Sequence, residues 1–199
     1  MRKAQIKRKT KETDISLKLN IDGTGKAKIN TSIGILDHML ELFAFHGLFD
    51  LEITAEGDLK IDIHHTNEDV GIVLGQAFKK ALGDKKGIRR FGGASVPMED
   101  VVADVAVDIS GRAYLKFSLG DSSGVSKTKE EYLLLDAEHF FESLSKQLGM
   151  NLNIKVNNPS EDLHATLEPI FKALGIALDQ ATGIDPRRKG VPSTKGVID

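Results

Sequence analysis

The chain has 199 residues, 40% of them hydrophobic, and its 27 Lys and Arg against 29 Asp and Glu leave a net charge of −2. That length suits one domain or two small ones sharing a core, the apolar fraction excludes wholesale disorder, and the balanced charge argues against a general nucleic-acid binder. With no cysteine there is neither disulfide nor thiolate chemistry, so a metal would have to be held by His, carboxylate and water. No apolar run approaches the roughly 20 residues of a membrane span, and the N-terminal MRKAQIKRKTKET lacks the apolar stretch of a secretory signal; a soluble, cytoplasmic protein is expected.

Hydrophobic periodicity switches between 2 and 3.6 along the chain. Ile15, Leu17 and Leu19 alternate with polar residues as a strand, Asp22-Gly23-Thr24-Gly25 reads as a turn, and residues 26–31 as a returning strand. Leu36, Met39, Leu40 and Phe43 place a helix from Gly34 to about His46. Alternation over 49–55 and 59–63 around Glu56-Gly57-Asp58 suggests a hairpin, followed by a helix from about Thr66 to Leu82 that Gly83 stops. Past a basic loop from Lys85 to Arg90, residues 101–109 read as a strand with Val105, Val107 and Ile109 on one face; Ser110-Gly111 turns the chain into a strand at 113–118. A mobile surface loop is expected over 119–128, then a helix over 129–148, a strand over 151–157 and a helix over 164–181. Pro169 is accommodated in a first helical turn, which sets the start of that last helix near His164 or Ala165. The tail DPRRKGVPSTKGVID has no period and four basic residues.

An internal repeat organises these elements. Asp37-His38-Met39-Leu40-Glu41 resembles Glu138-His139-Phe140-Phe141-Glu142, and His64-His65-Thr66-Asn67-Glu68 resembles His164-Ala165-Thr166-Leu167-Glu168. Leu74-Gly75-Gln76-Ala77 recurs 100 residues later as Leu174-Gly175-Ile176-Ala177. In each half an acid-His pair on a helix precedes a strand and then a His-x-x-x-Glu that opens a second helix. This reads as duplication of a unit of about 100 residues, with residues 1–92 as the first half and 93–199 as the second. The fold class expected is α/β (α+β), each half bringing a small mixed sheet and two helices, with the helices packed between the sheets.

His64 and Glu68 lie four apart and share a helix face, as do His65 and Glu68 at three apart. Imidazole with carboxylate suits a first-row divalent metal such as Mn, Fe or Zn. The competing reading is that Thr66-Asn67-Glu68-Asp69 is only a helix cap; recurrence of the pattern, with a helical His at matching distance in each half, favours the metal. His46 has no counterpart in the second half and reads as structural or substrate-side. Arg89, Arg90, Arg112, Lys172, Ser193 and Lys195 fall beside loops, turns or helix starts and are of the types that hold phosphate.

Taken in order, LDHML (36–40), HHTNEDVGIVLGQA (64–77), DKKGIRRFG (84–92), VDISGRAYL (107–115), AEHFF (137–141), FKALGIAL (171–178) and PSTKG (192–196) resemble the imidazoleglycerol-phosphate dehydratase family over nearly the whole chain. The resemblance implies a duplicated fold like the second domain of ribosomal protein S5. It implies a cage of twenty-four subunits, with active sites between subunits that each hold two manganese ions. It implies a lyase of histidine biosynthesis that removes water from imidazoleglycerol phosphate, giving imidazoleacetol phosphate. The implied metal ligands are His38, His64, His65, Glu68, His139, His164 and Glu168. The implied substrate contacts are Glu12, Arg90, Arg112, Ser193, Thr194 and Lys195, with Lys172 near the phosphate and His46 on the substrate side. Glu12, Glu68 and Glu168 are the acid/base candidates. The partners expected are a small phosphate substrate and further copies of the chain, with neither nucleic acid nor membrane. The family pattern has His-His in the second half too; Ala165 reduces eight ligands to seven, and the alternative is a diverged member with an incomplete second metal site.

Overall fold

The structure, a computed structural model, describes residues 2–120 and 131–198. Its first half runs β1 (Lys3–Lys9), β2 (Thr13–Asn20), β3 (Ala27–Asn30), α1 (Gly34–His46), β4 (Asp50–Gly57) and α2 (His64–Leu82). The second repeats that order with β5 (Phe91–Met98), β6 (Val101–Asp108), β7 (Tyr114–Leu119), α3 (Leu134–Leu148), β8 (Asn151–Asn157) and α4 (Leu163–Thr182). Each half makes a four-stranded mixed sheet of the same topology, β1-β2-β4-β3 and β5-β6-β8-β7. The duplicated α/β architecture read from the repeat is the one observed.

Period-2 alternation puts one face of each sheet in the core. Ile15, Leu17 and Leu19 stand opposite Ala55, Ile53 and Leu51; Ala103, Val105 and Val107 stand opposite Val156, Ile154 and Leu152. All twelve are buried. The helices lie between the sheets. α2 packs on β1, β2 and β4, and α4 on β5, β6 and β8, while α1 touches β3 and α3 touches β7 and β8. Helices pair across the halves rather than within them, α2 with α3 and α1 with α4. Phe43, Phe49 and Phe78 fill one end of this layer and Phe140, Phe141 and Phe171 the other. Among the described residues no helix is long and apolar enough to cross a membrane.

Several elements differ from their sequence-based expectation. Residues 26–31 do not return beside β2; β3 pairs in parallel with β4. The reason is Asp50, whose carboxylate accepts from Thr24 N (2.8 Å), Lys26 N (3.3 Å) and Asn20 Nδ2 (3.0 Å), drawing the loop across to β4. These bonds hold the Asp50 carboxyl at about 2, against an ordinary value of 3.8. A depressed pKa contributes stability that is complete above pH 3.8 and lost as pH falls toward 2. Asp50→Ala is therefore expected to destabilise the protein at neutral pH by about 1–2 kcal/mol, and its melting temperature should converge on that of the parent below pH 3; a constant offset through that range would refute this.

The hairpin expected over 49–63 is also absent. β4 ends at Gly57, and residues 58–63 turn into α2, with Asp58 N donating to Glu12 O (3.1 Å) and Ile61 N to Asp58 O (2.7 Å). Ile61, which completed the apparent alternation, is 77% exposed. β1 and β5 were not foreseen; both are edge strands, one of mostly charged residues and one with a pair of glycines and a proline. Helix α2 starts at His64, not Thr66. Thr66 caps nothing, its buried Oγ1 lacking a partner among the described residues. Instead Asp62 Oδ1 accepts the His64 N–H (3.0 Å), as Asp162 Oδ1 accepts that of His164 (2.9 Å). Starting at Leu163, α4 carries Pro169 in its second turn rather than its first. α3 begins at Leu134, later than expected. Residues 129–130 of that expected helix and 121–128 of the expected surface loop lie outside the described residues.

Candidate metal centres and active site

The cross-half helix pairing puts two histidine clusters at helix starts, each drawing on both repeats. In the first, α1 supplies His38 and α4 supplies His164 and Glu168. Glu168 Oε1 stands 2.9 Å from His164 Nε2 and 3.4 Å from His38 Nε2, and the two imidazoles stack at 5.0 Å. Lys172, one turn along α4, donates to Glu168 Oε2 (2.5 Å). Burial alone would raise the Glu168 carboxyl, but the hydrogen bonds from Lys172, His164 and His38 hold it at about 2.

In the second cluster, α2 supplies His64 and α3 supplies His139 and Asp136. His64 Nδ1 and His139 Nδ1 are 3.2 Å apart with the rings edge to face, and His64 Nε2 lies 3.5 Å from Glu68 Oε2. Two open clefts flank His139. One, of about 580 Å³, lies between the loop before His64 and the start of α3; the other, of about 460 Å³, lies between α3 and the start of β7.

Both clusters fit a divalent cation by their chemistry. Each combines imidazole with carboxylate and no thiolate, and neighbouring donors in an octahedral shell of radius about 2.1 Å lie about 3 Å apart, comparable to the donor separations found here. His65 belongs to neither cluster of its own chain. Its Nδ1 lies 3.1 Å from Asp58 Oδ2 and 3.9 Å from Glu12 Oε2. A carboxylate only accepts, so in the neutral ring Nδ1 carries the proton and Nε2 keeps its lone pair. The Asp58 hydrogen bond is the main cause of a raised His65 pKa, with burial opposing it.

Apart from Lys172, the expected phosphate residues lie outside the two clusters. Arg90 donates from Nε and Nη2 to the two Asp108 oxygens (2.6 and 3.1 Å) and from Nη1 to Pro192 O (2.9 Å). It thereby anchors the turn in which Ser193 Oγ accepts the Lys195 N–H (3.2 Å) and Thr194 and Lys195 are exposed. Arg112 is exposed in the β6–β7 turn, its N–H donating to Ser110 Oγ (3.3 Å). Lys172 is committed to Glu168. His46 ends α1, its pKa lowered by burial and by Lys172. Among the described residues, no hydrogen bond or ion pair joins Arg90, Arg112 or the tail to either cluster. Sequence reading missed Asp62 and Asp162, Asp58, Asp108 and Asp136. The first pair was visible as Asp two residues before a His, at an offset of 100.

The fold is thus a duplicated α/β architecture that carries two cross-repeat imidazole–carboxylate clusters. A family model described as imidazoleglycerol-phosphate dehydratase matches residues 31–178. Imidazoleglycerol-phosphate dehydratases of Geobacter metallireducens and Geobacter sulfurreducens are 55% and 54% identical to this chain, over 99% of each sequence. The crystal structure of the Pyrococcus furiosus enzyme in complex with (S)-C348 superposes with a TM-score of 0.80 at 38% identity, covering 96% of this chain and 99% of the other. That of the Staphylococcus aureus enzyme gives 0.78 at 34%, covering 92% and 99%. The chain belongs to the imidazoleglycerol-phosphate dehydratase family, and is a hydro-lyase of histidine biosynthesis.

Proposed function

We propose that the protein is a manganese-dependent enzyme that converts imidazoleglycerol phosphate to imidazoleacetol phosphate. The observation that carries this reading is the pair of clusters, His38/His164/Glu168 and His64/His139 with Glu68, in a chain of this family. His65, outside both clusters and with Nε2 unused among the described residues, suits a site completed by a second copy, in keeping with a homo-oligomeric cage. Manganese held by these residues would act as a Lewis acid toward the substrate imidazole. The reaction removes a carbon-bound proton and a hydroxyl from the glycerol side chain; the hydroxyl leaves as water, and the resulting enol becomes the ketone. Glu12 and Glu68, about half exposed and without a lysine partner among the described residues, are the carboxylates available to move protons. Glu168 is held by three donors and serves best as a ligand. Arg112, Ser193, Thr194 and Lys195 would take the phosphate, and Arg90 both supports them and contributes charge.

The test is ketone formation from imidazoleglycerol phosphate by chelator-stripped protein, with and without added manganese. No turnover in the stripped form and its return with manganese are expected. Full turnover without metal would overturn the manganese dependence. No product from folded, manganese-loaded protein would favour the alternative of an incomplete site, and Ala165→His should then restore activity. Ligand imidazoles must be neutral, so manganese affinity should fall as acid protonates them. An affinity flat from pH 7.5 to 5 would contradict histidine ligation.

A further inference from the structure

The two clusters are equivalent by repeat but not by chemistry. His38 and His139 are counterparts; three residues before His38 stands Ile35, and three before His139 stands Asp136. Ile35 is buried in the core, whereas Asp136 buries a carboxylate, 8% exposed, with an oxygen within 4.8 Å of ring nitrogens of both His64 and His139. Its Oδ2 accepts the Leu133 N–H (2.7 Å), and among the described residues no Lys or Arg pairs with it. A buried carboxylate without a countercharge is costly, and this one faces two imidazoles. At the other cluster the single carboxylate, Glu168, is already shared with the Lys172 ammonium.

A second asymmetry fixes Asp136 in place. Asn67 is fully buried on α2; its Nδ2 donates to Asp136 O (2.7 Å), and its Oδ1 accepts from Tyr132 Oη (2.9 Å). The counterpart of Asn67 is Leu167, which can make neither bond. The first turn of α3 is thus pinned to α2 by a satisfied polar bridge that has no counterpart at Leu167 of α4.

We propose that Asp136 is a direct ligand of the cation at the α2/α3 cluster, and that this site therefore binds manganese more tightly than the α1/α4 site. The proposal rests on the reading above that the clusters hold a divalent cation. The test is titration of the stripped, full-length protein with manganese, free ion being followed by electron paramagnetic resonance. Two classes of site are expected. Asp136→Asn, which keeps an acceptor for the Leu133 N–H, should weaken the tighter class at least about 10-fold and leave the weaker unchanged. Asn67→Leu, which removes no donor from the site, should weaken the same class by a smaller factor, so a poorly folded Asp136 variant does not end the test. Unchanged tight binding in both variants, or a loss confined to the weaker class, would overturn the proposal while leaving the cation reading intact. A parent protein that takes up no manganese would overturn both.

Discussion

Glu168→Gln is expected to lower turnover by about 100-fold or more while leaving the chain folded. Glu168 is the common acceptor of the α1/α4 cluster, reached by His164 Nε2, His38 Nε2 and Lys172 Nζ. Glutamine preserves the shape but removes the charge, and its amide turns donors toward groups that already donate. Lys172, only 22% exposed, loses its counterion, and breaking a well-shielded pair from one side is the costly way to break it. The cation would lose an anionic ligand, for which at least a 10–100-fold loss of affinity is expected. The pH signature separates this charge effect from a general loss of packing. The Glu168 carboxyl is held at about 2 against an ordinary 4.5, so its contribution to stability is complete above pH 4.5 and disappears as pH falls toward 2. Parent and variant should differ in melting temperature at pH 7 and converge below about pH 3. Turnover within a few-fold of the parent would sink the assignment of Glu168 to the centre.

Much of this arrangement was legible in the sequence because duplication shows each signal twice. The buried alternations at Ile15–Leu17–Leu19 and Val105–Val107, the helices and the His-x-x-x-Glu pairs all recur, and recurrence raised a possible helix cap to a candidate ligand set. What stayed hidden depends on partners distant in sequence. Residues 26–31 looked like half of a hairpin because nothing local reveals that Asp50 pulls the preceding loop onto β4. β1 and β5 lie at sheet edges, where half the backbone groups face solvent and the usual apolar alternation is weak. At the site, spacing set both His64 and His65 beside Glu68, whereas the fold keeps His64 near Glu68, sends His65 to Asp58 and Glu12 and brings His139 from the other repeat to His64. The place of Asp136 beside His64 and His139 comes from the α2–α3 crossing, not from a motif. Arg90 carried the signal of a phosphate ligand, yet Asp108 and the Pro192 carbonyl occupy much of its hydrogen-bonding capacity.

Gly175→Ala should damage the α1/α4 centre more than its cost in stability suggests. The repeated Leu-Gly-x-Ala marks where each long helix crosses its partner from the other half. A Cβ at Gly175 would stand 2.5 Å from Phe43 O and 3.0 Å from Gly47 N; one at Gly75 would stand 2.8 Å from Leu144 O and 2.7 Å from Gln147 Cβ. In an exposed helix, alanine in place of glycine gains about 1 kcal/mol. Here the obstructing atoms at Gly175 are backbone and have no rotamer to retreat into, so the helices must separate. Overpacking of this kind costs about 1–3 kcal/mol, occasionally more, which outweighs the propensity gain. A net loss of about 1–2 kcal/mol corresponds to a melting temperature lower by about 2–8 °C in a chain of this size. The larger consequence lies two turns away, about 10 Å along α4, where Glu168 meets His38 at 3.4 Å. A displacement of even 1 Å at a reacting centre can cost about 100-fold in rate. Gly175→Ala should therefore weaken manganese binding at the His38/His164/Glu168 site and Gly75→Ala at the His64/His139 site, each sparing the other, a division that a simple loss of global stability would not produce. Equal weakening of both classes by either variant would mean that the glycines support the fold as a whole; unchanged melting and unchanged binding would mean that the helices can separate without moving the donors.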